Sequence, residues 1–323
     1  MKTIEETLKE NRPTLSPSSL RTYSSTLKNL YLKVFTEDDP DEIDVKKFKQ
    51  YKKILDYLKD VEGNKRKSIL SALVVLCGEK DCSEYREVML NDAKEYNDKQ
   101  KENKMTETQK ENWITQDEIT DIFNKHKDEA TKLFKLTNPT MNQLQTIQNF
   151  IIICLMSGMF IPPRRSTDWT EFKIKNINKD EDNYIDKKYF VFNKYKTSKF
   201  YKQQKIEIPN ELNKILKKWI SINPTDYLLF DSNKNQLTPV KLTQRNNKIY
   251  DGKISTNMLR HSFITEKYSN KSIPTLKEIN EVADDMGHSF TQHLEYIKTN
   301  NEKKDEEIKD NIKISIKDKK NKK

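Results

Sequence analysis

Apolar positions in the first hundred residues recur at helical spacing. After Ser16-Pro17-Ser18-Ser19, a helix start with proline in its first turn, Leu20, Tyr23, Leu27, Leu30 and Val34 share one face. The acidic loop Glu37-Asp38-Asp39-Pro40-Asp41 ends that helix, and the same spacing predicts helices over residues 44 to about 60, 64–77 and 82 to about 99. Four short amphipathic helices make a compact bundle. Periodicity leaves open whether it is a generic helical domain or a DNA-binding module.

From Asp98 to Asn112 nearly every residue is polar, so a linker or solvated helix end is expected. A new apolar pattern opens at Trp113-Ile114, where Thr115 and Glu118 are spaced as a capping box ahead of Ile119, Ile122 and Phe123. A strong helix from about residue 142 carries Leu144, Ile147, Ile151, Cys154 and Leu155, ends at Gly158, and is followed by the break at Pro162-Pro163. Alternation in Tyr189-Phe190-Val191-Phe192 and in Lys205-Ile206-Glu207-Ile208 predicts a β-hairpin. Helices follow over residues 211–222, around 239–250, around Arg260, and after Thr275, whose partner Glu278 completes another capping box. The expected class is mainly α with a small β-hairpin or sheet (α+β), in two domains.

Composition narrows the partners. Of 323 residues 34% are charged and the net charge is +10, almost all of the positive charge being lysine, which points to a polyanion. A membrane surface is the competing polyanion, but the longest apolar run, residues 150–163, is too short to span and is interrupted by Ser157 and Gly158. Met1-Lys2-Thr3-Ile4-Glu5-Glu6 has no signal-peptide pattern, and Cys77, Cys82 and Cys154 form no ligand cluster. The expectation is a reducing intracellular setting, with no membrane partner and no structural metal.

Candidate chemistry gathers late in the chain. Asn257-Met258-Leu259-Arg260-His261-Ser262-Phe263 sets an arginine in an apolar helix; Met286-Gly287-His288-Ser289 follows, with Tyr296 eight residues past that histidine. Splitting a phosphodiester needs cations on the non-bridging oxygens, a proton donor for the leaving oxygen, and a nucleophile that stores the bond. Arginine suits the first role through its planar fork, and tyrosine can attack once cations stabilise a phenolate whose free pKa is about 10. Further cations are available. Arg164 and Arg165 follow the prolines, and Asp168 is spaced to orient Arg165 on a helical first turn; alone, such a pair is ordinary solvated surface. From Lys187 to Lys205 there are seven lysines and no acid, with Tyr195, Phe200 and Tyr201 interleaved. Such a hairpin could lie along a phosphate backbone, or its lysines could merely blunt an exposed edge. Taken singly, His261 reads as a packed helix residue, His293 as a solvated one, and Tyr296 as an amphipathic-helix residue beside Phe290 and Leu294. Two of only five glycines, Gly158 and Gly287, precede the arginine pair and the histidine, as tight turns would require.

In this order the motifs resemble the catalytic domain of the tyrosine recombinase (phage integrase) family over residues 113–298. The helical region before them is similar to that family's core-binding domain by position and length, and the lysine- and asparagine-rich style resembles members from large DNA viruses, virophages or mobile elements. The resemblance implies a core-binding, DNA-clamping domain over 1–104, a linker over 105–112, a catalytic domain over 113–300 and a charged tail over 301–323. It also implies catalytic roles for Arg165, Lys196, Arg260, His288 and Tyr296, with Asp168 and Asn257 supporting, and DNA contacts from Arg164, Lys194, Lys199 and Lys202. Lys196 matches the hairpin lysine best, with Lys194 and Lys199 as rivals. Asn257 stands where the family usually has histidine and cannot carry a proton.

The implied function is site-specific recombination of double-stranded DNA through a 3′-phosphotyrosine, by a tetramer on two sites and without cofactor. Type IB topoisomerase-like relaxation, a catalytically inactive DNA-binding descendant and a transposase-like excision role are the rivals. In the tail, Ile308, Ile312 and Ile316 recur at spacing four and could contact a neighbouring protomer; a disordered basic end is the alternative.

Overall fold

The computed structural model describes residues 2–39, 41–78, 82–252, 254–269 and 274–298. The tail with Ile308, Ile312 and Ile316 lies outside them. The chain divides into two compact units, one ending at Glu102 and the other starting at Asn103.

The first unit is helical. It contains α1 (Ile4–Asn11), α2 (Pro17–Val34), α3 (Tyr51–Leu58), α4 (Gly63–Cys77) and α5 (Ser83–Lys101). Helix α1 is an addition to the sequence expectation, although Thr3 and Glu6 form a capping box that could have announced it. The single helix expected from residue 44 is divided, because Asp44 caps a tight 3-10 turn over Val45–Lys49 before α3 begins. Leu8, Leu27, Phe48, Ile54, Leu70 and Tyr85 are fully buried at the centre. The Tyr85 hydroxyl donates to the Phe48 carbonyl at 2.7 Å, and a two-pronged Arg66–Asp92 ion pair ties α4 to α5.

In the second unit α6 (Glu107–Glu111) falls in the stretch expected as linker, and α7 (Gln116–Leu133) starts on the Thr115–Glu118 capping box. Helix α8 (Met141–Met156) is the central pillar, with every residue from Phe150 to Met156 buried. The short α9 (Ser166–Thr170) follows the proline turn. A three-stranded antiparallel meander comes next: β1 (Tyr184–Asp186), β2 (Tyr189–Phe192), then α10 (Ser198–Tyr201) and β3 (Gln204–Glu207). The expected hairpin thus gains a third strand, too short at three residues to show a period, and Phe192 pairs with Gln204 where the lysine-rich connection begins. Trp169 of α9 packs edge-on against Phe190 and Phe192, at 5.1 and 5.4 Å. That contact, which truncation to alanine would lose at about 3–5 kcal/mol, sets the sheet beside the arginine segment.

Helix α11 (Asn210–Ile222) stacks Trp219 on Phe230, and α12 (Pro239–Ile249) packs on α9. The last helices, α13 (Thr256–Ser269), α14 (Leu276–Asp285) and α15 (Phe290–Tyr296), enclose a small core of their own around Ile264, Tyr268, Ile279 and Met286. The class is mainly α with a small antiparallel sheet. Among the described residues no helix is long and apolar enough to cross a membrane.

Candidate active site

Two neighbouring arginines leave the proline turn in different directions. Arg164 is fully buried: its Nε donates to Asp168 at 2.8 Å, Nη1 to the Asp285 carbonyl at 2.7 Å and Nη2 to Gln204 at 2.9 Å. Its guanidinium also lies 4.1 Å from the Phe192 ring centre. The expected DNA contact by Arg164 is therefore corrected: every edge of this cation is spent inside the protein. The expected Asp168–Arg165 partnership is corrected with it. Asp168 is fully buried, one turn after Arg164 in i,i+4 register, and pairs with that arginine. Burial pushes its carboxyl up while Arg164 draws it back down.

Arg165 turns outward. Its Nη1 donates at 2.6 Å to the Gly287 carbonyl, which also accepts from the Thr197 hydroxyl at 3.2 Å. One carbonyl thereby holds both Arg165 and the β2–β3 connection. The turn that presents it is fixed by sequence: after α14 the Gly287 N–H bonds to Asp284 and the His288 N–H reaches back to Ala283, with Gly287 at φ +67°. Ser289 then caps α15 by accepting from the Gln292 N–H, so His288 sits between two caps.

Arg165, Lys194, Lys196, Asn257 and Tyr296 line one open pocket of about 730 Å³, with Ser166, Thr243, Thr256 and Gln292 among the other walls. These wall residues carried no signal in the sequence, being small or amide side chains. Lys196 is exposed there, and Lys194 lies 3.6 Å from Asp182. Lys199 and Lys202 are exposed on and just after α10 and are not part of the lining.

Beneath the pocket wall lie the remaining candidates. Arg260 is fully buried on α13; Nη1 donates to the carbonyls of Pro163 and Met286 at 2.7 and 3.3 Å, and Nη2 meets His288 Nδ1 at 2.5 Å. Its Nε is buried with no hydrogen-bond acceptor among the described residues. Tyr296 covers both groups: its ring stacks on His288 at 5.2 Å and 18°, with the Arg260 guanidinium 4.7 Å from its centre. The Tyr296 hydroxyl points to Asn257 Oδ1, at a long 3.4 Å. Burial first, then Arg260, holds the His288 ring down to about 2, so it is neutral.

Two other histidines complete the picture. His293, expected as solvated, is fully buried and bonds His288 and Tyr268; the correction follows from α15 packing this side inward. His261 packs its ring 4.7 Å from that of Tyr296 and meets the Tyr296 carbonyl through Nδ1. Among the described residues no group of three or more His, Cys, Asp or Glu side chains is placed to hold a metal ion.

No protein-family model matches the chain, and no curated protein does. Solved structures do. The chain is similar to XerH site-specific recombinase bound to difH substrate in a pre-cleavage complex, at 16% identity and a TM-score of 0.52, over 91% of this chain and 80% of that one. It also matches a lambda integrase(75-356) dimer bound to a COC' core site (15% identity, TM-score 0.48, 90% and 92% covered) and XerA recombinase (13%, 0.41, 92% and 94%). The likeness to XerH is one of fold alone, mainly α with a small antiparallel sheet.

Proposed function

We propose that this protein is a site-specific DNA recombinase that cuts and rejoins strands through a covalent bond to Tyr296. The observation that carries the reading is the convergence of Arg165, Lys196, Asn257 and Tyr296 on one pocket, with Arg260 directly under the Tyr296 ring. These residues come from separate parts of the second unit, and a phosphodiester is the substrate that their chemistry fits together.

In the proposed reaction Arg165 donates to the non-bridging oxygens of a phosphate in the pocket. Arg260 adds its charge from below, where its Nε–H is buried with no acceptor among the described residues and would be satisfied by an anion. Tyr296 slides off His288 as its oxygen approaches phosphorus, uncovering that N–H. The O–P bond to tyrosine forms, the bond to the 5′ oxygen breaks, and Lys196 protonates the departing oxygen. A 5′-hydroxyl of a second duplex later reverses the step, so recombination between two sites would use several copies of the chain. Asn257 orients the phenol without being able to take its proton, which leaves through the open pocket to water. His288 acts on the developing charge through Arg260. The exposed Lys194, Lys199 and Lys202 supply backbone contacts that position the duplex but carry no sequence information, so site choice falls to the rest of the hairpin and to the helical first unit.

The experiment is a covalent trap. The full chain is incubated with a pool of randomised duplexes, each nicked once so that the freed end diffuses away. The reading expects a denaturant-resistant adduct on the 3′ end for wild type and none for Tyr296→Phe. An adduct that survives Tyr296→Phe removes Tyr296 as nucleophile, and binding without an adduct from wild type favours an inactive DNA-binding descendant.

A further inference from the structure

We propose that His293, backed by Tyr268, is a positioning residue: it locks the ring of His288 and, through it, the guanidinium of Arg260. The inference rests on the reading of the pocket given above and extends it to two residues with no contact to the pocket. A buried hydrogen-bond chain runs from Arg260 Nη2 to His288 Nδ1 (2.5 Å), from His288 Nε2 to His293 Nδ1 (2.9 Å), and from His293 Nε2 to Tyr268 Oη (2.8 Å). All four side chains are buried.

The direction of every bond follows from its first member. A guanidinium has only donors, so His288 Nδ1 must accept. A neutral imidazole has a single N–H, which then sits on Nε2 and donates to His293 Nδ1. By the same step the His293 proton sits on Nε2 and donates to Tyr268. Protonating either ring would turn an N–H against another donor, so the chain holds both rings neutral.

The surrounding charges agree. Arg260 of α13, together with Arg164 and Arg165 from the segment before α9, faces His288, as do the uncharged His293 and Tyr296 of α15. Arg260 and Lys267 of α13 face His293, beside Tyr268. The charged groups are cations, and with burial they hold His293 down to about 4.

The consequence for the site is orientation. With Nη2 held by His288 and Nη1 by two carbonyls, the Arg260 fork cannot turn, and the one guanidinium nitrogen without an acceptor among the described residues is Nε. A guanidinium fixed before substrate arrives spends no energy reorganising when charge develops. An apolar residue at 293 would leave the His288 Nε2–H without its acceptor, so the ring could rotate, release Nη2 and, once off Arg260, exchange tautomers or take up a proton.

The test uses the full chain with ¹⁵N-labelled histidine, of which there are four. Long-range ¹⁵N–¹H spectra report which ring nitrogen carries the proton. Wild type is expected to keep His288 neutral, with its proton on Nε2, between about pH 5 and 8. His293→Gln should preserve that state, since its amide oxygen accepts from His288 and its NH2 donates to Tyr268. His293→Ala should release it, so that His288 mixes tautomers or titrates in that range. The rate of adduct formation on nicked duplexes should then fall about 10- to 100-fold, the effect of misplacing a group by an ångström. Its pH profile should move with the ring, and Gln should restore most of the loss. The proposal is overturned if His288 in wild type titrates in that range or carries its proton on Nδ1. It is equally overturned if Ala leaves the ring state and pH profile untouched, or if Gln behaves like Ala. The spectra need no DNA, so a wild type that forms no adduct would count against the pocket reading alone while the spectra still decide the chain.

Discussion

Replacing Gly287 with alanine should destabilise the second unit by several kcal/mol through two separable effects. At φ +67° an L side chain adopts a left-handed conformation, at about 1–2 kcal/mol. A Cβ there would also stand 2.6 Å from Arg164 Nη2, where ordinary contact begins at 3.4 Å, so the guanidinium must retreat by 0.8 Å, the difference. Arg164 has nowhere to go: all three of its nitrogens are hydrogen-bonded, and losing one such bond to a buried charge amounts to about 1.5–3 kcal/mol. Together the two amount to about 2.5–5 kcal/mol. All three tryptophans, Trp113, Trp169 and Trp219, belong to the second unit, so tryptophan fluorescence during urea unfolding reports that unit alone. The midpoint should fall with little change in slope. Gly287→Asn separates the effects, because asparagine tolerates the backbone but keeps the Cβ, and it should recover only about 1 kcal/mol. An alanine variant within about 0.5 kcal/mol of wild type would refute the packing of Arg164 on this turn.

Other predictions use the same assays. Asp168→Asn leaves Arg164 buried without its counter-charge and should destabilise the second unit by about 3–5 kcal/mol; an unchanged urea midpoint would contradict the pair. Arg165→Ala should slow adduct formation by about 10²–10³ while changing stability by no more than about 1 kcal/mol, because among the described residues its one hydrogen bond is to the Gly287 carbonyl; equal loss of both would make Arg165 structural. Lys202 holds φ 55° and ψ −152°, a backbone region suited to glycine, so Lys202→Gly should gain about 1 kcal/mol by thermal melting. If Lys202 contacts phosphate, the same change should lower the salt slope of DNA binding by about 1. Stability should also fall in acid. His261, His288 and His293 are held at about 4, 2 and 4 in the fold, below the unfolded value near 6.5. Below about pH 6.5 the unfolded chain therefore binds more protons, and each ring removes up to about 1.4 kcal/mol per pH unit until its folded value is reached. Asp285, whose carboxyl burial pushes up, works in the opposite sense. His293→Gln should shallow the slope by one ring's share, and a slope that stays the same would show that His293 is not neutral in the fold.

Much of this arrangement was legible in the residues. Helical periodicity located most helices because each buries one face. The glycines at 158 and 287 marked turns because an added Cβ would collide, at 158 with Phe263 at 2.4 Å and at 287 with Arg164. Other features turned on depth, which spacing does not encode. Asp168 is three residues from Arg165 and four from Arg164, and both separations bring side chains together on a helix; burial selected Arg164. His293 looked solvated because polar Thr291 and Gln292 precede it and Glu295 stands two residues on, yet its side faces the core beside Tyr268. The strand over Tyr184–Asp186 is too short for any period, and the division at Gln50 reflects the Asp44 cap overriding a continuous apolar face.

The most direct measurement is the chemical identity of the linkage. Wild-type protein trapped on nicked duplex is digested with nuclease and trypsin, and the modified peptide is sequenced by mass spectrometry. The account predicts a nucleotide 3′-phosphate on the oxygen of Tyr296. A nucleotide on any other side chain, or an adduct whose phosphate is joined through the 5′ end, would contradict it.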